Sequence, residues 1–311
     1  MNWEKVLVQE RELQQLVEHN QPIPVPNGTV MPNAGVALYT LTGRQYNAIY
    51  DAHLGAIRKL NGENPQFSDL RNRDLLLYND HLLNPHVNTL IVDGFFGTGK
   101  TSILCSHLVA GLLKELLGEK EGIPVAYISK PHIAVGSTYG HLPGDLHDKT
   151  AEEFKSFTQY FDRFGQPGLA DYLMCRNVEN QSRFMKQRAA EFYQDIGEPM
   201  LHVLVFEYLR GRDIDRGWVV VDETQNTDQK EISTFISRVG DKAKLILLGD
   251  STPTQIDRKG NTPENNGLVF AKEMYMGKKY AGYVEMQTVG HILRGQRVRD
   301  LFMKLRGQLQ K

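Results

Sequence analysis

The chain is predicted to be an α/β protein with a mostly parallel sheet flanked by helices. Two observations carry that prediction. From Asn88 onward, short apolar runs alternate with helix-length amphipathic stretches, a rhythm that implies βαβ crossovers. The runs, such as Leu90–Val92 and Trp218–Val221, are short and apolar throughout, as strands buried on both faces are.

Taken in order, the strands are predicted around Leu90–Val92, Val125–Ile128, Val203–Phe206, Trp218–Val221 and Leu245–Leu248. The intervening helices are expected over Thr101–Leu117, Glu152–Phe164, Gln181–Asp195, Asp228–Val239 and Arg297–Leu309. In the first of these, Leu104, Cys105, Leu108, Val109, Leu112, Leu113 and Leu116 recur at helical spacing, which marks a face packed on the sheet. Upstream, a helix is expected within Trp3–Glu18, followed by a turn-rich segment, QPIPVPNGTVMPNAG. Two further helices are predicted at Tyr46–Leu60, from the apolar set Ala48, Ile49, Leu54, Ile57 and Leu60, and at Leu70–Leu83. The organisation expected is a small N-terminal accessory segment, residues 1–84, and one α/β domain, residues 85–311.

Composition narrows the class. The chain has 311 residues, 41% hydrophobic and 23% charged, and its 36 basic and 37 acidic side chains leave a formal charge of −1. That is ordinary globular composition, without the basic excess that would by itself advertise a nucleic-acid or anionic-membrane binder, so any such surface has to be local. Two cysteines, Cys105 and Cys175, exclude a disulfide scaffold and a cysteine-built zinc module. With no membrane-length apolar run and no leader pattern at the amino terminus, the expectation is a soluble cytoplasmic protein with no membrane partner.

The strongest local signal is GFFGTGKT, Gly94 to Thr101, which fits G-x-x-x-x-G-K-[ST] between an apolar run and a helical pattern. Gly94, Gly97, Thr98 and Gly99 let the backbone wrap a phosphate group with its amides pointing inward. Lys100 is expected to face the β and γ phosphates, and Thr101 to place a hydroxyl on Mg2+ at the start of a helix whose dipole favours anions.

The second signal is GWVVVDETQN, which puts Asp222 and Glu223 at the carboxyl end of a strand, where parallel sheets bind ligands. Asp222 is expected to hold Mg2+ and Glu223 to orient and deprotonate the attacking water. Asp250, just past KLILLG, is a third acid at a strand end, suited to sensing the γ phosphate or the water. Lys130, Arg210 and Arg212 follow predicted strands and are the candidate contacts for a nucleic-acid backbone. His132, His141, His147 and Asp145 lie close in sequence but match no common metal-ligand spacing.

Together with ISKPHIAVG, HLPGDL, YLRGRDI, FISRVG, ILLGDSTPTQID and GLVFA, these segments resemble the PhoH-like ATPase family over about Leu90–Leu305. The resemblance implies a RecA-like P-loop NTPase fold, with ATP and Mg2+ as cofactors. It also implies hydrolysis coupled to single-stranded RNA or DNA, in the manner of helicases, and a homo-oligomeric ring. It favours Arg238, ending EISTFISR, as the arginine that stabilises transition-state charge, with Arg294 as the alternative.

Three departures from the family pattern stand out. Lys130 stands where arginine is usual, four residues rather than two separate Asp250 from Gln255, and Gly290 precedes His291 where arginine is expected. Gln45 and Gln66 are both open as the adenine-reading glutamine. Two other functions compete with the motor: a P-loop kinase, against which Glu223 beside Asp222 argues, and a nucleotide-gated binding module with incidental hydrolysis.

Overall fold

The computed structural model describes residues 3–25, 30–68, 70, 72–131, 154–174, 199–206, 213–286 and 295–309. The chain forms two compact units: Met1–Glu63 with Phe67–Lys100 and Leu268–Lys311, and Asn64–Gln66 with Thr101–Gly267. The predicted α/β class holds. Besides a small mixed sheet, the first unit carries a parallel strand pair, and the second unit a four-stranded parallel sheet. No helix among the described residues is long and apolar enough to cross a membrane.

The first unit opens with a four-stranded sheet, order β1-β2-β3-β4, built from β1 (Trp3–Leu7), β2 (Gly35–Tyr39), β3 (Gln45–Asp51) and β4 (Ala56–Lys59). Helix α1 (Glu10–His19) buries Leu13 and Leu16 in a core that includes Ile23, Val36, Leu38, Ala48 and Ile57. Two sequence expectations are corrected here. The helix expected within Trp3–Glu18 is a strand followed by a shorter helix, and the helix expected at Tyr46–Leu60 is an antiparallel hairpin. The reason is the turn: the Asp51 carboxylate accepts from the amides of His53 and Leu54, and Gly55 takes φ +70°. Leu54, which a helix would have buried, is 52% exposed at the hairpin tip.

Helix α2 (Arg73–Leu83), as predicted, is capped by the Asn72 side chain, which accepts from the amides of Asp74 and Leu75. Arg58 on β4 reaches it with a two-pronged bond to the buried Asp80 (2.7 and 3.0 Å) and also donates to Asp51 at 2.7 Å. Asp80→Ala is expected to cost about 3–5 kcal/mol, because the partly buried guanidinium loses its main partner. Asp51 adds a pH dependence. Burial raises its pKa, but the bonds from Arg58 and the two amides outweigh that and leave it below its ordinary 3.8. Its stabilising share is therefore complete above about pH 4 and lost as pH falls through the lowered value. Denaturant unfolding of both proteins across pH 3–7 measures both effects.

The unit also holds β5 (Thr89–Gly94) and β10 (Ala281–Met286), paired in parallel from Ala281 opposite Thr89 to Met286 opposite Gly94. β10 was not foreseen; its apolar residues are interrupted by Gly282 and Glu285. Asn33 ties the small sheet to β10, donating to the carbonyls of Lys279 (2.8 Å) and Ala281 (2.9 Å) and accepting from the Ala52 amide (3.1 Å).

The second unit holds β6 (Ala126–Lys130), β7 (Leu201–Val205), β8 (Gly217–Val221) and β9 (Ala243–Gly249), with β6 between β7 and β8 and β9 outside β8. These four and β5 match the predicted strands. Helix α3 (Lys100–Leu116) buries Leu104, Cys105, Leu108, Val109 and Leu112 as its spacing requires. Burial, and then the charge of Asp222, pushes the Cys105 thiol well up, which makes it an inert core residue. Further helices are α4 (Lys155–Phe164), α5 (Leu169–Leu173) and α6 (Gln229–Ile236); α7 (Gly267–Tyr275) and α8 (Gln296–Leu309) close the chain. The helix expected at Gln181–Asp195 lies outside the described residues.

Candidate active site

The phosphate loop leaves β5 at Gly94 and enters α3 at Lys100. Gly97 (φ +78°) and Gly99 (φ +93°) lie in the left-handed region, which is why a strand-to-helix turn this tight takes glycine there. Gly94 is required by proximity instead, since a Cβ on it would stand 2.9 Å from that of Met286. Thr98 is fully buried, and its hydroxyl donates to the Phe95 carbonyl at 2.7 Å, pinning the loop internally. Two further contacts fix it from neighbouring elements. The Phe95 amide donates to the Met286 carbonyl at the end of β10 (3.1 Å), and the buried Tyr78 of α2 donates its hydroxyl to the Lys100 carbonyl (3.1 Å).

Lys100 folds its ammonium back onto the carbonyls of Gly94 and Phe95. Neutral carbonyls are weaker partners for an ammonium than phosphate oxygens, so this arrangement is one that an anion in the loop can displace. The loop residues named from the sequence, Gly94 to Lys100, thus form one structural turn. Thr101 follows as the second residue of α3.

In the second unit, β8 ends at Val221 and the acidic pair occupies the turn beyond it. Asp222 is buried, its amide donating to the Ser129 carbonyl at 2.9 Å, and its carboxylate lies 3.2 Å from the Lys130 ammonium. β6 and β8 are register neighbours, Ser129 opposite Val221, so the next residue of each strand brings this cation and anion together. Lys130 also lies over the Phe157 ring at 5.6 Å, and its side chain is only 17% exposed. It is the counter-ion of Asp222.

Glu223 takes a left-handed conformation (φ 57°, ψ 36°) and caps a 3-10 turn, Thr224–Asn226. This turn, more than strand alternation, separates the directions of the two acids. The Glu223 carboxylate accepts from Gln225 at 2.7 Å. Asp250 follows β9; it is buried, and its carboxylate accepts from the amide (3.1 Å) and hydroxyl (2.6 Å) of Thr252. Within this unit the chain therefore gathers Lys130, Asp222, Glu223 and Asp250 at the carboxyl ends of β6, β8 and β9.

Other expected residues fall elsewhere. Arg238, just past α6, pairs with Asp213 at 3.5 Å, and its carbonyl accepts from the Ile214 amide. Gln255 contributes its backbone carbonyl to bonds from Gln225 and Asn226, while its side chain donates to the Thr254 carbonyl. Gln45 is an exposed residue of β3, and Gln66 donates to the Phe164 carbonyl at 3.2 Å. Arg210, Arg212, Arg294, His132, His141, His147 and Asp145 lie outside the described residues. Two residues were missed, Tyr78 and Gln225. The first carried no sequence signal; the second stood in the DETQN turn with its amide unassigned.

The donors suit the group that the motifs call for. Thr101 offers a hydroxyl and Asp222 a carboxylate, hard oxygens of the kind Mg2+ takes, and the Asp222 carboxylate already associates with a cation. Among the described residues there is no cluster of three or more His, Cys, Asp or Glu that would hold a resident metal without a nucleotide.

A strand, a glycine-bounded loop with its lysine, a helix, and an acidic pair at the end of another parallel strand define a P-loop NTPase. The PhoH-like protein family model matches residues 77–304, and the chain belongs to that P-loop ATPase family. Among curated proteins it is 28% identical over 256 residues to Protein PhoH2 of Bacillus subtilis (strain 168), covering 81% of this chain and 49% of that protein. It is 29% identical over 191 residues to the PhoH-like protein of the same organism, covering 61% and 50%. With Protein PhoH2 of Thermobispora bispora the identity is 24% over 209 residues, covering 67% and 41%. The chain thus spans about half the length of the curated relatives it matches.

Proposed function

We propose that the protein hydrolyses ATP with Mg2+ and couples the cycle to single-stranded RNA or DNA. The observation that carries the hydrolytic reading is the acidic turn. A buried carboxylate that already associates with a cation stands next to a second carboxylate held by an amide in a backbone conformation unusual for glutamate. Bound Mg2+ would polarise the phosphate oxygens and neutralise charge developing on them.

This chain's own residues do the rest. The loop amides and Lys100 bind and orient the β and γ phosphates, Thr101 and Asp222 supply oxygens to the metal, and Glu223 removes the proton of the attacking water. Asp250, buried and oriented by Thr252, reports the state of the γ phosphate to the segment after β9. Lys130, paired to Asp222, neutralises that carboxylate when no metal is bound and is proposed to turn toward an incoming phosphate when one is. Arg238 is the proposed stabiliser of transition-state charge, which requires it to leave Asp213; Arg294 is the alternative. Action of Arg238 on a neighbouring copy fits the homo-oligomeric ring proposed here. A kinase is disfavoured because Glu223 serves water better than the hydroxyl of an acceptor.

The nucleic-acid part rests on the family resemblance and on the cations Arg210 and Arg212 that follow β7 in sequence. It is tested by steady-state phosphate release against oligonucleotide concentration at two salt levels. Turnover is expected to rise with RNA or DNA, and the half-saturating concentration to rise steeply with salt as counterions are released. A flat response to both, in protein that hydrolyses ATP, would replace the motor with a nucleotide-gated module.

A further inference from the structure

We propose that Gln225 is a positioning residue, whose side-chain amide aims the Glu223 carboxylate and ties it to the segment that follows β9. The inference rests on the reading of Glu223 as the base. Gln225 has no solvent exposure. Its Nε2 donates to the Glu223 carboxylate at 2.7 Å and to the Gln255 carbonyl at 3.1 Å, while its Oε1 accepts from the Asp250 amide at 3.0 Å. Both amide hydrogens and the carbonyl oxygen are thereby used, and only one orientation of the amide works. Reversed, it would set a carbonyl oxygen against a carboxylate and an NH2 against the Asp250 amide.

One group therefore joins the base to the strand end that carries Asp250 and to the turn Pro253–Gln255. The same segment has further fastenings that bypass Glu223. Asn226 accepts from the amides of Asp257 (2.8 Å) and Arg258 (3.3 Å), and Asn261 donates to the carbonyls of Gln225 and Thr227 (both 2.8 Å). Gln225 is distinguished from these anchors by its bond to the carboxylate. A fixed donor selects one carboxylate direction out of the several that a glutamate side chain can sample.

The test compares Gln225→Met, which keeps bulk but cannot donate, with Gln225→Glu, which keeps shape and still accepts from the Asp250 amide. Asn226→Ala, which removes side-chain fastenings of the same segment and leaves the donor to the Glu223 carboxylate in place, is the control. Two quantities are read, ATP affinity and kcat, each also in the Glu223→Gln background. In both Gln225 variants kcat is expected to fall about tenfold or more, with ATP affinity within about twofold. Neither variant should slow Glu223→Gln further, because the group through which Gln225 acts is already gone. Asn226→Ala should keep kcat within about twofold of the native value.

A native kcat in both Gln225 variants, an equal fall in Asn226→Ala, or a further fall of about tenfold when the Gln225 variants are added to Glu223→Gln overturns the proposal. Normal turnover of Glu223→Gln itself is the separate outcome in which the assignment of Glu223 as base fails, and the proposal with it. The Glu variant keeps the question open to refutation should the Met variant not fold.

Discussion

Glu223→Gln is expected to bind ATP as tightly as the native protein and to hydrolyse it about 10²–10⁴-fold more slowly, the loss that follows removal of a general base. The substitution is clean because of how the site is built. Gln225 donates to a carboxylate oxygen of Glu223, and a glutamine at 223 can present its carbonyl oxygen to the same donor. The turn, its left-handed φ and the bonds to Gln255 can therefore survive while the proton acceptor is lost. Phosphate release under saturating Mg·ATP, alongside equilibrium dialysis with labelled nucleotide, separates the two quantities. Near-native turnover would remove Glu223 from the mechanism, and weakened binding would show that the carboxylate supports the loop and not the water.

Lys100→Ala is expected to weaken ATP binding by about 100-fold or more, since it deletes the one side-chain cation of the loop and leaves only amides. The folded protein should tolerate the change. Lys100 donates to the carbonyls of Gly94 and Phe95, and the rest of the loop is pinned by Thr98, Met286 and Tyr78. Loss of such bonds costs about 1 kcal/mol. Titration with a fluorescent ATP analogue gives the affinity, and thermal unfolding in its absence checks the fold. Native affinity in the variant would mean that the loop does not take phosphate through its lysine.

The parts of this molecule that were legible in the sequence share one property: a single local pattern determines them. β5 and β9 are buried along their whole length and announce it with the apolar runs Leu90–Val92 and Leu245–Leu248, and the phosphate loop is a strand-to-helix turn that glycine, lysine and threonine specify at fixed offsets. The N-terminal hairpin was not legible because Ala48, Ile49 and Ile57 satisfy a helical period as well as a strand one. The arbiter is Asp51, whose carboxylate closes the turn through hydrogen bonds that periodicity does not register. The partnership of Lys130 with Asp222 was missed for a related reason. It depends on β6 and β8 being neighbours, a matter of strand order, whereas the sequence offers only a lysine and an aspartate 92 positions apart. Gln225 joins residues about thirty positions away and has the same invisibility.

The left-handed backbone at Glu223 sets the interests of the fold against those of the chemistry. An L-residue with a full side chain is held in that region at a cost of about 1 kcal/mol, which glycine escapes and asparagine largely escapes. Neither carries a side-chain carboxylate. A library of variants ranked by thermal resistance alone would therefore drift toward Gly or Asn at position 223 and discard the proposed base, whereas a library ranked by turnover would retain the strained glutamate. The position is a natural place to measure how much stability this protein forgoes in order to work.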